Sequence, residues 1–85
     1  MTYQILIKPS ARRELERLDN TTLQRVDKAI ISLSENPHPR GSKKLAGIPL
    51  CRVRVGTYRI LFEVNDAKEQ ITIVSIGHRR DIYRR

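Results

Sequence analysis

Residues 50–64 read Leu50-Cys51-Arg52-Val53-Arg54-Val55-Gly56-Thr57-Tyr58-Arg59-Ile60-Leu61-Phe62-Glu63-Val64. Side chains alternate in character up to Val55, and a second β-rich run returns from Tyr58. Between them stands a two-residue break with glycine first, the pattern of a type II′ β-hairpin. With Gly56 and Thr57 as the turn, Val55 lies opposite Tyr58, Arg54 opposite Arg59, Val53 opposite Ile60, and Arg52 opposite Leu61. Successive strand residues point to opposite faces. Cys51, Val53, Val55, Tyr58, Ile60 and Phe62 therefore share one face, and Arg52, Arg54 and Arg59 share the other. A slip of one residue would expose Val53, Val55, Ile60 and Phe62 together, so the apolar set fixes the register.

Upstream of the hairpin, Tyr3–Lys8 is a short apolar run bounded by Pro9 and reads as a strand. Either Ser10 caps the following helix or Pro9 takes its first position. Ala11, Leu15 and Leu18 then recur at helical spacing to about residue 18. Asp19-Asn20-Thr21-Thr22 supplies caps for a second helix, in which Leu23, Val26, Ile30, Ile31 and Leu33 follow the 3.6-residue period to about Glu35. Asn36-Pro37 stops it, and residues 36–47 read as a loop. Downstream, Asn65–Lys68 turns the chain. Gln70–Gly77 is nearly all apolar, as expected of a central strand covered on both faces. His78–Arg85 is a short basic tail with room for one or two helical turns.

These elements predict an α+β fold of order β-α-α-β-β-β. Two N-terminal helices pack on one face of a small, mainly antiparallel four-stranded sheet. The arginine-bearing face stays partly open. Eighty-five residues make one domain, residues 1–85. One cysteine excludes an internal disulfide framework, and two histidines with one cysteine are too few for a structural zinc site. No metal or cofactor is expected. The chain shows neither a membrane span nor a signal peptide, so a cytoplasmic protein is expected.

Charge narrows the function. The chain carries 17 Lys+Arg against 9 Asp+Glu, a net charge of +8, which favours a polyanionic partner. From Arg40 to Arg59, Arg40, Lys43, Lys44, Arg52, Arg54 and Arg59 occur without an acid. The ending carries Arg79, Arg80, Arg84 and Arg85 against Asp81. Like charges directly opposite on a sheet are destabilising. Arg54 facing Arg59 beside Arg52 is poor design for stability and good design for holding phosphate, which guanidinium forks bind in bidentate fashion. Lys43, Lys44 and Arg80 extend the candidate phosphate contacts. No P-loop, dinucleotide fingerprint or acidic metal cluster appears. A phosphodiester cut here would use the 2′-hydroxyl of RNA as nucleophile, with the protein orienting the backbone and stabilising charge. His78 is the nearby group whose ordinary pKa lies near neutrality, and Tyr83 can stack on a base or donate a proton. The alternative for each is structural: solvated arginines, an incidental histidine and a packing tyrosine.

The chain resembles the RelE/ParE superfamily of bacterial and archaeal toxins, most closely its RelE branch. The resemblance is carried by Pro9-Ser10-Ala11-Arg12-Arg13-Glu14-Leu15, the loop Lys44–Gly47, the hairpin Arg52–Phe62 with its Gly-x-Tyr-Arg turn, and Gly77-His78-Arg79-Arg80-Asp81-Ile82-Tyr83. It implies a RelE-like fold and a toxin of a type II toxin–antitoxin system. That toxin would be an mRNA endonuclease acting on the ribosome by metal-independent 2′-hydroxyl attack. It further implies an acidic, RelB-like cognate antitoxin as partner, and operator DNA met only through that antitoxin. By resemblance, Arg59 stabilises the scissile phosphate, Arg79 matches an arginine after the last strand, and Tyr83 matches a tyrosine that stacks on the target base. Arg52 and Arg54 stand at positions often held by lysine. Some relatives are assigned a lysine base there, but arginine is essentially never deprotonated. Arg52 is therefore read as a phosphate clamp, with His78 as the candidate base. Two other readings share the fold: a ParE-like inhibitor of DNA gyrase, and a basic binding module without catalysis.

Overall fold

The computed structural model describes residues 2–39, 42–45 and 47–78. Strand β1 (Gln4–Ile7) leads into helices α1 (Pro9–Glu16) and α2 (Asn20–Glu35). Strands β2 (Lys43–Lys44), β3 (Cys51–Val55), β4 (Tyr58–Asn65) and β5 (Gln70–His78) follow. Pro9 takes the first turn of α1, and Lys8 occupies the N-cap without a side-chain bond. The helix ends at Glu16 rather than Leu18, because the Arg17 and Leu18 amides bond three residues back, to Glu14 and Leu15. Asp19 caps α2 by accepting from the Thr22 amide. These bonds favour the ionised carboxylate and hold its pKa below the ordinary value.

The sheet has five strands in the order β1-β5-β4-β3-β2. Two differences from the expected four-stranded sheet stand out. Lys43 and Lys44 form a short antiparallel edge opposite Arg52 and Cys51. Two polar residues have no periodicity to announce a strand, and only β3 defines them as one. The first strand also pairs in parallel with the last, Ile5 beside Ile71 and Ile7 beside Ile73, which makes the sheet mixed.

The hairpin register is as the alternation predicts: Val55↔Tyr58, Arg54↔Arg59, Val53↔Ile60, Arg52↔Leu61. Gly56 takes φ +61 while Thr57 is not in the positive-φ region, as a II′ turn requires. Ala11 and Leu15 of α1 and Val26, Ile30 and Leu33 of α2 form one core with Ile60, Phe62, Ile71, Ile73 and Ile76. Both helices thus lie on one face of the sheet.

A β-bulge interrupts β5. Phe62 pairs with Ile73 while Leu61 pairs with Ser75, so Val74 is an extra residue without a partner. The bulge moves the inward phase from Ile71 and Ile73 to Ile76. It is one reason why this strand lacks the simple alternation of β3. The expected helical tail from Arg79 onward lies outside the described residues.

Candidate nucleic-acid interface

The face of the sheet turned away from the helices carries two cross-strand rows. Lys43, Arg52, Leu61 and Ser75 follow one another across β2, β3, β4 and β5. Arg54, Arg59 and Gly77 form the next row toward the turn. Arg54 and Arg59 lie one position inside the closing pair of a two-residue hairpin. Such non-hydrogen-bonded pairs bring Cα atoms to about 4.5 Å.

The three arginines differ in how they are held. Arg54 is exposed, whereas Arg52 and Arg59 are half-buried with their Nε atoms shielded from solvent. Leu61, across from Arg52, is only 7% exposed, which places an apolar floor on this charged face. Long basic side chains lay their aliphatic stems along such a floor. A stem fixed before binding loses less entropy when a phosphate arrives. Gly77 beside Arg59 adds no side chain to the row.

The other candidates fall in different places. Lys43 joins the arginine row, but Lys44 pairs with Cys51 and so belongs to the opposite face. It lines a shallow cavity of about 190 Å³ with His38, Pro49, Cys51, Val64 and Asp66. Lys44 is therefore not brought together with Arg52, Arg54 and Arg59. Burial pushes the Cys51 thiol pKa up, with Lys44 opposing, and the protonated thiol is a poor nucleophile. At the same end of the sheet the Tyr3 hydroxyl donates to Asp66 Oδ1 at 2.6 Å, and His38 Nε2 lies 3.6 Å from that oxygen. The bond to Asp66 raises the Tyr3 pKa.

His78 pairs with Tyr58, in the row of Val55, and the two rings meet edge to face at 5.8 Å. This row belongs to the helix side of the sheet. His78 is thus separated from the arginines by the sheet itself, and the bulge at Val74 is the cause. Unbroken alternation from Ile73 would have put residue 78 on the arginine face. Arg79, Arg80 and Tyr83 lie outside the described residues.

Two acidic side chains near this face had no site role in the sequence: Glu14 read as part of an ordinary solvated helix face, and Glu63 as a residue of the hairpin. Glu63 lies on this face, opposite Thr72, and alternation beyond Leu61 was signal enough to place it. Glu14 of α1 bonds to Ser75 from 61 residues away, a contact without any local signal. Among the described residues no group of three His, Cys, Asp or Glu side chains could hold a metal ion. Nor is any described helix long and apolar enough to cross a membrane.

The arrangement has the chemistry to clamp a phosphate in a polynucleotide backbone. A family model described as ParE toxin of type II toxin–antitoxin system, parDE, matches residues 5–83. Toxin RelG of Mycobacterium tuberculosis (strain ATCC 25618 / H37Rv) is 36% identical over 89 residues, covering 100% of both chains. The mRNA interferase toxin RelE of Escherichia coli (strain K12) is 28% identical over 82 residues, covering 93% of this chain and 85% of that one. Among solved structures, a chain of the toxin–antitoxin complex RelBE2 from Mycobacterium tuberculosis superposes with a TM-score of 0.84 at 29% identity. The match covers 93% of this chain and 100% of the other.

Proposed function

This chain belongs to the ParE toxin family of type II toxin–antitoxin systems, and within that family we propose that it cleaves messenger RNA on the ribosome. The observation that carries the reading is the Arg54–Arg59 pair with Arg52 and Lys43 on the same sheet face. A relative named as an mRNA interferase supports it.

In this reading the half-buried Arg59 and Arg52 grip the scissile phosphate, and Arg54 and Lys43 hold neighbouring phosphates. The RNA 2′-hydroxyl attacks its own 3′-phosphorus, and the bond to the 5′-oxygen of the next nucleotide breaks. The hydroxyl proton leaves and the departing oxygen gains one. The products are a 2′,3′-cyclic phosphate and a free 5′-hydroxyl. Charge accumulates on the phosphoryl oxygens as this happens, and fixed guanidiniums stabilise it more than they stabilise the ground state. No metal is needed for these steps. We assign no proton transfer to His78, whose ring meets Tyr58 edge to face on the far side of the sheet. By the resemblance Arg79 stands at the position of an arginine that follows the last strand, Arg80 offers a phosphate contact, and Tyr83 keeps the base-stacking role.

The partner proposed is a cognate antitoxin with an acidic segment that folds on this basic surface, in line with the antitoxin-bound state of the RelBE2 neighbour. Operator DNA would be reached through that antitoxin. The decisive experiment adds purified protein to programmed ribosomes and maps the message ends. Cleavage within codons is expected, and intact message from a folded wild-type protein overturns the reading. A second reading, inhibition of DNA gyrase, is favoured by the parDE description of the matching family. A supercoiling assay distinguishes it.

A further inference from the structure

The pairing of β1 with β5 ends at Ile7↔Ile73, and the Lys8 amide adds one bond, to the Ile73 carbonyl. From Val74 to His78, β5 continues with no strand on that side among the described residues. Helix α1 stands there instead. Its half-buried Glu14 sets one carboxylate oxygen against the strand edge, and Oε1 accepts from the Ile76 amide and the Ser75 hydroxyl, each at 3.2 Å. Ile76 is 1% exposed and Ser75 6%, so water is a poor substitute for this acceptor.

The position of the contact is telling. Ser75 and Ile76 directly follow the bulged residue Val74, where the ladder is disrupted. An acceptor oxygen held at this point by helix α1 fixes the phase in which the strand resumes. That phase turns Ser75 toward the row of Arg52 and Leu61, keeps Ile76 in the core and sets Gly77 beside Arg59. The chain then leaves through His78 toward Arg79, Arg80 and Tyr83. An anionic side chain repels phosphate, so Glu14 acts through the strand and not on the substrate.

We infer that Glu14 is a positioning residue for RNA cleavage, holding the last turn-ward stretch of β5 in register with Arg59. The inference rests on the cleavage reading above. Its test compares Glu14→Ala, Glu14→Asp and Glu14→Gln with the wild type. The measurements are circular dichroism, amide exchange at Ile76 and Gly77, and kcat and KM on ribosome-bound message. Glu14→Ala should speed exchange at Ile76 and lower kcat about 10- to 100-fold, with KM within about twofold, because small misplacements at a reacting centre cost rate steeply. Glu14→Asp keeps the charge but withdraws the oxygen by one methylene, and should lose kcat while remaining folded. Glu14→Gln retains an acceptor oxygen and should recover most of the rate. Wild-type kcat in Glu14→Ala and Glu14→Asp overturns the inference, as does a loss that Glu14→Gln does not repair. Unchanged Ile76 exchange in a folded Glu14→Ala overturns it without touching the cleavage reading. A wild-type protein that cuts no message overturns the cleavage reading, whatever the exchange rates show.

Discussion

On the helix side of β3 and β4, Val53, Val55, Ile60 and Phe62 meet the apolar stripes of α1 and α2. On the opposite side of the same two strands stand Arg52, Arg54 and Arg59, with the buried Leu61 across from Arg52. One face lowers free energy by removing apolar surface from water. The other opposes Arg54 to Arg59 and raises it. Side chains one residue apart thus serve opposite ends. The helix face supplies the stability that lets the second face hold repelling charges in place.

That contrast can be broken most severely from the apolar side. Phe62→Ala removes a fully buried ring and should cost about 3–5 kcal/mol of unfolding free energy, the usual range for such truncations. Urea titration measures it. RNA cleavage should fall only in proportion to the unfolded fraction.

From the charged side the pattern should invert. Arg59→Ala should lower kcat by about 10²–10³-fold, the scale of losing one fixed donor to a transition-state oxyanion, with the folded state retained. If that variant cuts at the wild-type rate, the phosphate clamp lies elsewhere.

A finer probe is Arg54→Ala. It removes one side of the repelling pair, so stability should stay level or rise slightly. RNA affinity should fall, and its logarithmic salt slope should become shallower by about 0.7, the value for one phosphate contact on a single strand. Loss of stability together with affinity would mean that Arg54 packs rather than binds.

The smallest effect is expected at His78. His78→Phe keeps an aromatic ring against Tyr58 and removes the imidazole nitrogens. Cleavage should stay within about twofold, and its pH profile should keep its shape, since the ring is on the helix side. Disappearance of a limb near neutrality would return the base role to this histidine.

Much of the fold was legible because its signals are local. Val53, Val55, Ile60 and Phe62 at period two, around a Gly-Thr turn, set both the hairpin register and the division of faces. The caps of α2 were legible for the same reason, with Asp19 bonding three residues ahead. Lys43 and Lys44 were legible only as a basic pair. Their assignment to opposite faces needed the β2–β3 register.

The amino-acid sequence by itself determined which side chains of the ribbon enter the core and which arginines are left facing outward. Turn length and alternation act between neighbours in the chain and leave one arrangement. Tertiary structure alone decided the parallel seat of β1 beside β5, the reach of Glu14 to Ser75, and the side on which His78 stands. The last depends on a single unpaired residue, Val74. One extra residue in a strand reverses every face beyond it, and only the neighbouring strands determine where it goes.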